Sequence, residues 1–362
     1  MNNQRPNSQI RVLIVDDSAF MRTALSRMIG SDPDICVVGT ASSGNEALQR
    51  VPSLDPDVIT LDVQMPGLDG LQTLTRIMAE FPRPVIMVSS LTLKDAETTF
   101  SALAAGAFDY VPKQLSSTSL DILHLQHDLI AKIKAAAESR HFDEPLIVPR
   151  KPPRPVAIPI REASLGSPAI VALGTSTGGP KALQEILPIL PADIPVPILV
   201  VQHMPSGFTA PFARRLNDLC AVSVCEAVHG EAVLPGMVYI APAGSHLTVE
   251  RAGSRTTVCL SDKPEHQLHV PSVDVMMQSV ASAFGSLAMG IIMTGMGSDG
   301  AQGMSAIHRE GGLTVGQDEP SCTVYGMPRA CAEMRILDRV VPLAQIPHEI
   351  LQATRYRRAS VS

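Results

Sequence analysis

Three residue types that together catalyse acyl transfer follow three apolar runs in the C-terminal half of the chain. Ser176 comes after the apolar run 170–173, and His203 and Asp299 each come after a later apolar run. If these runs are parallel strands, their carboxyl ends share one edge of a sheet, where the three side chains can meet. Ser176 would be the nucleophile, His203 its general base, and Asp299 the group that orients the histidine and stabilises its charged form.

A glycine-rich turn surrounds the serine. Residues 174–178 read Gly-Thr-Ser-Thr-Gly, and Pro180 then suits the first turn of a helix. Uncovered backbone N–H groups at such a turn bind an anion or stabilise the oxyanion of a reacting carbonyl. Taken alone, the turn is equally consistent with an ordinary connection. The chain order Ser, His, Asp differs from the α/β-hydrolase order Ser, acid, His, so that fold is not favoured.

A second set of strand-end residues lies in the N-terminal half. Asp16 and Asp17 follow the first apolar run, Asp62 the third and Ser89 the fourth, and Lys113 follows the fifth. Three carboxylates at one sheet edge repel one another unless a cation neutralises them, and oxygen ligands of this kind suit Mg²⁺. Asp62 could then attack a phosphoryl donor to form an acyl phosphate. Ser89 and Lys113 would hold the phosphoryl oxygens.

The elements that must position these residues are alternating strands and helices. Five strand–helix units fill roughly the first 130 residues and predict a doubly wound parallel sheet. The C-terminal half also alternates, but we expect a meander or a partly antiparallel portion at 237–241, 247–250 and 256–260. Between the halves, a proline-rich stretch predicts an extended, semi-rigid linker.

Composition excludes several functional classes. A chain of 362 residues with 45% apolar and 18% charged residues is globular and long enough for two domains. The net charge of −6, without a sustained basic stripe, argues against nucleic-acid binding. No apolar run approaches the roughly 18 residues of a membrane span, so we expect a cytoplasmic protein without direct membrane insertion. The six cysteines are scattered and indicate neither a zinc site nor a disulfide framework.

The N-terminal half resembles the receiver domain of two-component response regulators over roughly residues 9–138. The resemblance rests on the Asp16-Asp17 pair and on the motifs Leu-Asp-Val-Gln-Met-Pro, Val-Ser-Ser and Tyr-Val-Pro-Lys. It implies a five-stranded, flavodoxin-like fold that binds Mg²⁺ for phosphorylation. It implies that Asp62 is the phospho-acceptor and that Asp16 and Asp17 are the acidic metal pair. Ser89 would supply the hydroxyl, Lys113 the lysine and Tyr110 the switch aromatic of the family. Gln114 departs from the family pattern, in which proline commonly follows the lysine.

The C-terminal half is similar to the chemotaxis protein-glutamate methylesterase catalytic domain. The motifs are Gly-Thr-Ser-Thr-Gly-Gly-Pro, Val-Gln-His-Met-Pro, Pro-Ser-Val-Asp-Val, Met-Thr-Gly-Met-Gly-Ser-Asp-Gly and Gln-Asp-Glu-Pro-Ser. The resemblance places Ser176, His203 and Asp299 on the catalytic positions. It also places Thr177 beside the histidine, and Met296 where a backbone N–H serves the oxyanion hole. Val270 departs from the family pattern, which commonly has arginine there.

Together the resemblances imply a receiver at 1–139, a linker at 140–167 and a mostly parallel α/β catalytic domain at 168–362. The implied enzyme hydrolyses glutamate methyl esters on methyl-accepting chemoreceptors, releases methanol, and deamidates specific receptor glutamines. A chemotaxis histidine kinase would be the phosphodonor. Mg²⁺ would belong to the receiver only, and the esterase would need no cofactor. The resemblance also implies that the receiver inhibits the catalytic domain until Asp62 is phosphorylated.

Two alternative functions remain open from the residues alone. One is a receiver fused to a non-catalytic output domain that binds a partner or a nucleotide, with the turn around Ser176 holding phosphate. That turn lacks the lysine of a P-loop and a convincing acidic ribose ligand. The other is a DNA-binding response regulator, which would need a compact basic output domain.

Overall fold

The computed structural model describes residues 9–90, 92–113, 119–139, 167–253, 255–265 and 267–356. The chain divides into two compact units, Met1–Val148 and Pro149–Ser362, and each is described by itself. Gln114 and nearly all of the predicted linker lie outside the described residues. Within the described ranges, no helix combines the length and the apolar character that crossing a membrane requires.

The first unit is a five-stranded parallel sheet with strand order β2-β1-β3-β4-β5. Strands β1–β5 are Ile10–Val15, Ile35–Ala41, Val58–Asp62, Val85–Ser89 and Asp109–Pro112. Helices α1–α5 are Ala19–Ile29, Gly44–Leu54, Gly70–Glu80, Leu93–Ala104 and Ser119–Glu138. This order is the flavodoxin-like arrangement, in which ligands bind beyond the carboxyl ends of β1 and β3. The predicted fold of this half is confirmed.

Capping side chains define where four of the helices in this unit begin. Ser18, Ser43, Asp69 and Thr92 each accept a hydrogen bond from the backbone N–H three residues later. Such a cap stabilises a helix by about 0.5–2 kcal/mol relative to alanine. Each capped helix follows a strand after a short loop. The caps therefore help to hold the strand-end side chains at the carboxyl edge of the sheet.

The second unit contains a seven-stranded sheet with strand order β14-β13-β12-β6-β7-β9-β8, in which every pair is parallel. Its strands are β6 Ile170–Thr175, β7 Ile198–Gln202, β8 Ser223–Glu226, β9 Met237–Ile240, β12 Ala288–Ile292, β13 Leu313–Gln317 and β14 Arg339–Val341. A separate antiparallel pair consists of β10 His246–Ala252 and β11 Arg255–Ser261. Helices α6–α11 are Gly179–Ile186, Thr209–Leu219, Val273–Phe284, Ala301–Arg309, Met327–Glu333 and Ile346–Ala353.

The predicted α/β class with an antiparallel portion is confirmed, and of the two alternatives expected for residues 237–260 the structure has the partly antiparallel one and not the meander. Strand β9 pairs in parallel with both β7 and β8, so it belongs to the main sheet. Among the strands of the described residues, β10 and β11 form the only antiparallel pair. A short apolar run reports burial and carries no information on strand direction, which is why the sequence left both alternatives open. Four elements after residue 312 were not predicted, namely β13, α10, β14 and α11.

Helices α8 and α9 pack closely at their first turns. A Cβ added to Gly303 in α9 would lie 2.5 Å from Met277 Cβ and 3.1 Å from Asp274 Cα, both in α8. The Gly303 N–H donates a hydrogen bond of 2.7 Å to the Asp274 carboxylate. The absence of a side chain at residue 303 therefore sets how closely the two helices approach.

We predict that Gly303→Ala destabilises the second unit. Helix propensity alone would favour alanine by about 1 kcal/mol. The overlap with α8 reverses that sign, and overpacking of this kind costs about 1–3 kcal/mol. Calorimetry of the full chain should show a lower transition temperature for this unit. Gln302→Ala, at the adjacent exposed position, is the matched control and should leave the transition unchanged; an unchanged or raised transition in Gly303→Ala would contradict the packing argument.

Candidate active site and phosphorylation site

Backbone hydrogen bonds and close packing hold Ser176 directly beyond the end of β6. Its N–H donates to the Thr294 carbonyl at 3.0 Å, and its carbonyl accepts the Gly179 N–H at 2.8 Å. A Cβ on Gly179 would lie 2.0 Å from Gln202 Oε1, and one on Gly295 would lie 2.9 Å from Ser176 Cβ. The glycines of the two turns therefore allow the chain to pass against the serine where any side chain would collide.

The structure brings the three predicted acyl-transfer residues together. His203 Nδ1 lies 3.2 Å from Ser176 Oγ, and His203 Nε2 lies 2.8 Å from Asp299 Oδ2. Because β6 pairs with β7 on one side and with β12 on the other, the loops that carry these residues leave three adjacent strand ends. The parallel-edge argument made from the sequence accounts for this convergence.

The Asp299 carboxylate also accepts hydrogen bonds from the first residues of α8. Ser272 Oγ donates to Oδ1 at 2.9 Å, the Val273 N–H to Oδ2 at 2.8 Å and the Asp274 N–H to Oδ1 at 3.0 Å. Burial by itself raises the pKa of Asp299, but the hydrogen bond from His203 and these N–H groups outweigh it and hold that pKa well below its usual range.

The ionised carboxylate determines which nitrogen of the histidine is the base. An ionised carboxylate only accepts hydrogen bonds, so the proton of the neutral His203 ring lies on Nε2, towards Asp299. The unshared electron pair is then on Nδ1, which faces Ser176 Oγ. The pair is thus arranged for Nδ1 to remove the serine proton.

Two backbone N–H groups beside the serine are available to a developing oxyanion. In the described part of the chain, the N–H groups of Thr177 and Met296 donate no hydrogen bond to a protein group. Met296 follows Gly295, the residue packed against Ser176 Cβ. Thr177 is buried, and among the described residues its side chain makes no hydrogen bond to His203. Its N–H is therefore the relevant donor at this position.

Several residues that support the site were not predicted as site residues. Gln317, at the end of β13, accepts the Thr294 N–H at 2.8 Å, and Gln202, at the end of β7, donates to the Ser176 carbonyl at 3.0 Å. The His269 ring stacks on the His203 ring with centroids 4.0 Å apart. Polar residues at the carboxyl ends of buried strands were the sequence signal for the two glutamines. Ser272 lies in the Pro-Ser-Val-Asp-Val motif, which was its sequence signal, whereas His269 had none.

Val270, the predicted departure from the family pattern, lies next to this site in the chain. It is 37% exposed, and its carbonyl accepts the Gly244 N–H at 3.1 Å. The side chain thus presents an apolar surface two residues before Ser272.

In the first unit, the structure also brings the predicted acidic cluster together. One carboxylate oxygen from each of Asp16, Asp17 and Asp62 lies within 4.8 Å of the others. Lys113 Nζ lies 2.9 Å from Asp16 Oδ2 and 2.6 Å from Asp62 Oδ2. This set of hard oxygen donors, with Asp17 exposed, fits the coordination chemistry of Mg²⁺. A receiver domain implies Mg²⁺-dependent phosphorylation in general.

Burial sets the titration of Asp62. It raises the pKa of Asp62 to about 6, with the Lys113 ammonium opposing the shift and the Asp16 charge adding to it. Burial lowers the pKa of Lys113, but its hydrogen bonds to Asp62 and Asp16 outweigh that effect and raise it above the ordinary value. The lysine therefore remains a cation that balances the buried carboxylates.

Ser89 and Tyr110 lie on the neighbouring strands, as predicted, and both are buried. Ser89 Oγ accepts a hydrogen bond of 2.9 Å from Thr99 Oγ1 in α4 and donates to the Ser90 carbonyl at 3.2 Å. Lys132 Nζ lies 5.4 Å from the centroid of the Tyr110 ring and donates to the Tyr110 carbonyl at 2.7 Å. In this structure the Ser89 hydroxyl is therefore bonded to the α4 side and not to Asp62.

Comparison with protein families finds two matches in chain order. Residues 12–123 match the response regulator receiver domain, and residues 171–350 match the CheB methylesterase family. The chain is also similar to the solved Thermotoga maritima CheB methylesterase catalytic domain, with 38% identity and a TM-score of 0.50, over 52% of this chain and 99% of that one.

Curated relatives extend the similarity to nearly the whole chain. Protein-glutamate methylesterase/protein-glutamine glutaminase 1 of Oleidesulfovibrio alaskensis is 45% identical over 95% of this chain and 99% of its own length. Protein-glutamate methylesterase/protein-glutamine glutaminase 2 of Nitratidesulfovibrio vulgaris is 46% identical over 94% and 98%. These matches favour a catalytic output domain over the two alternatives left open by the sequence, a non-catalytic output domain and a DNA-binding one. With a receiver followed by a methylesterase domain, the chain belongs to the protein-glutamate methylesterase/protein-glutamine glutaminase family.

Proposed function

We propose that this chain is a phosphorylation-regulated serine hydrolase that demethylates glutamate methyl esters on methyl-accepting chemoreceptors, releases methanol, and deamidates specific receptor glutamines. The observation that carries the proposal is the contact of His203 with Ser176 Oγ at 3.2 Å and with Asp299 at 2.8 Å. The names of the full-length relatives support the same pair of reactions.

In the first step, Ser176 Oγ attacks the ester carbonyl while His203 Nδ1 takes its proton. The resulting imidazolium is stabilised by the Asp299 carboxylate. The N–H groups of Thr177 and Met296 donate to the oxyanion of the tetrahedral intermediate, where preorganised donors lower the barrier most. The His203 proton then passes to the methoxy oxygen, and methanol leaves from an acyl-serine.

In the second step, water attacks the acyl-serine while Nδ1 of His203 accepts its proton. The same donors stabilise the second oxyanion, and the proton returns to Ser176 Oγ as the glutamate carboxylate is released. Deamidation follows the same sequence with ammonia in place of methanol as the first product. Both reactions use only groups of this chain and water, so the hydrolase needs no cofactor.

The receiver supplies the regulation in this proposal. An oxygen of Asp62 attacks the phosphorus of the kinase's phosphohistidine, the P–N bond breaks, and the imidazole leaves as Asp62 becomes an acyl phosphate. Lys113 holds a phosphoryl oxygen, and Ser89 exchanges its hydrogen bond with Thr99 for one with the phosphoryl group. Tyr110 then repacks. Asp16, Asp17 and Asp62 would hold Mg²⁺, which neutralises the charge on the carboxylate and phosphoryl oxygens when bound. The phosphodonor is a chemotaxis histidine kinase.

We further propose boundaries of 1–139 for the receiver, 140–167 for the linker and 168–362 for the catalytic domain. The matched ranges, 12–123 and 171–350, support this division.

The proposed place of action is the cytoplasm, where a histidine kinase has access to ATP. Methyl-accepting chemoreceptors are the proposed protein substrate.

We predict that Ser176→Ala and His203→Ala each lower kcat for methanol release by a factor on the order of 10⁴ or more. The double variant should be scarcely worse than either one, because the residues act as a unit. The assay measures methanol released from methylated receptor membranes. Ser282→Ala, at an exposed serine in α8, is the matched control and should retain the wild-type rate. Methanol release near the wild-type rate from Ser176→Ala would refute the serine mechanism.

We predict that Mg²⁺ binding to the receiver weakens on acidification. With a pKa of about 6, Asp62 is mostly ionised at pH 7 and mostly protonated at pH 5, and a neutral carboxyl is a poor ligand. The apparent Kd measured by calorimetry should therefore rise about tenfold between those pH values. In Asp62→Asn this dependence should be much smaller. Equal affinity of the wild type at both pH values would contradict the prediction.

We predict that a small-molecule phosphodonor activates the wild-type esterase and leaves Asp62→Asn at the basal rate. The amide cannot form the acyl phosphate, and switches of this kind change an equilibrium by about 5–150-fold. Initial rates of methanol release with and without donor measure the effect. Asp34→Asn makes the same substitution at an exposed carboxylate and should respond like the wild type. Activation of Asp62→Asn would place the phosphorylation site elsewhere.

A further inference from the structure

At the first turns of α8 and α9, a carboxylate near the start of each helix accepts hydrogen bonds from backbone N–H groups of the other helix. Asp299 lies just before α9 and accepts the N–H groups of Val273 and Asp274 at the start of α8. Asp274, in the first turn of α8, accepts the N–H of Gly303 in the first turn of α9 at 2.7 Å. Each acidic side chain therefore binds the N-terminus of the other helix, where partial positive charge collects.

The two carboxylates have different electrostatic surroundings. Asp299 has the His203 ring as a further donor, and its pKa is held well below its usual range. Among the described residues, Asp274 has no comparable side-chain donor, and burial raises its pKa while the Gly303 N–H opposes the shift and the Asp299 charge adds to it. Two neighbouring carboxylates repel each other, so the N–H groups of both helices are needed to keep the pair in place.

These reciprocal hydrogen bonds link the position of Asp299 to the contact between the helices. Ala301, the first residue of α9, follows Asp299 by two positions, so a shift of α9 along α8 moves the carboxylate relative to His203 Nε2. The missing side chains of Gly300 and Gly303 allow this approach, because a Cβ on Gly300 would lie 2.8 Å from Val273 Cγ1. The Asp274 carboxylate accepts backbone N–H groups of Gly300, Gln302 and Gly303, and these hydrogen bonds help to set the register between the helices.

We propose that Asp274 is a positioning residue for the proposed hydrolase reaction. It touches neither substrate nor the reacting atoms. It holds the start of α9 so that Asp299 meets His203 at hydrogen-bond distance and keeps the proton on Nε2. The inference rests on the proposed function, because it assigns a role within that reaction. A misplacement of about 1 Å in such a site can lower the rate on the order of a hundredfold.

The test compares Asp274→Ala with Asp274→Asn in the full-length protein. Alanine removes the acceptor, and we expect kcat for methanol release to fall about 10- to 100-fold with little change in KM. Asparagine keeps an oxygen that accepts the Gly303 N–H, and we expect it to restore kcat to within a fewfold of the wild type. If Asp274→Ala does not fold, Asp274→Ser, whose hydroxyl is too short to reach that N–H, serves in its place.

Asp338→Ala is the matched structural control. Asp338 Oδ2 accepts the Thr314 N–H at 2.8 Å in the same unit without contacting the three acyl-transfer residues. We expect this variant to lower the thermal transition and to keep the wild-type kcat. A loss of kcat in Asp338→Ala equal to that in Asp274→Ala would assign the effect to general destabilisation and overturn the proposal.

A second readout needs no turnover. The proton between His203 Nε2 and Asp299 should give a downfield imidazole N–H signal in proton NMR, identified by its loss in His203→Ala. We expect Asp274→Ala to weaken or shift this signal and Asp274→Asn to retain it. An unchanged signal and kcat in Asp274→Ala, or equal damage in Asp274→Asn, would overturn the positioning role. A wild type that releases no methanol would refute the proposed function, while the NMR comparison would still decide whether Asp274 positions Asp299.

Discussion

The buried, ionised carboxylate of Asp299 is the group on which the C-terminal site depends. Burying a carboxylate is costly unless hydrogen bonds replace its lost hydration. Here the replacement consists of Ser272 Oγ, two backbone N–H groups at the start of α8, and the His203 ring. Because these donors keep Asp299 ionised, the histidine proton stays on Nε2. The electron pair on Nδ1 is thereby left facing Ser176, so the protonation states of the site follow from this one interaction.

The two units use the same parallel-sheet edge in different electrostatic ways. In the first unit, several carboxylates converge, and the partly buried Lys113 is the only cation recorded within 4 Å of Asp62 in the described residues. The pKa of Asp62 consequently rises to about 6. In the second unit, one carboxylate is surrounded by N–H and O–H donors, and its pKa falls. The first arrangement favours binding a further cation and a phosphoryl group, whereas the second favours a fixed negative charge behind a histidine.

Close backbone approach is the second constraint on the hydrolase site. Gly179, Gly295 and Gly300 each lie where an added Cβ would come within 3 Å of a neighbouring atom. These contacts allow the turns after β6 and β12 to pass each other beside Ser176. The same crowding leaves the Thr177 and Met296 N–H groups beside the serine without a protein partner in the described chain. Close packing thus accompanies two backbone N–H donors near Ser176, which the proposed mechanism assigns to the oxyanion.

From the amino-acid sequence alone, we could predict which side chains are able to do chemistry and at which strand ends they lie. Apolar runs followed by Ser176, His203 and Asp299, or by Asp16, Asp17 and Asp62, were enough to predict two parallel-sheet edges and the chemistry of each. The pattern of apolar residues, however, reports the type and burial of an element and not its strand direction or its partners. The parallel pairing of β9, the hydrogen bonds from the start of α8 to Asp299, and the bonding of the Ser89 hydroxyl to Thr99 were decided by the tertiary structure. Each of these depends on contacts between segments distant in the chain, and the local pattern of residue types does not encode such contacts.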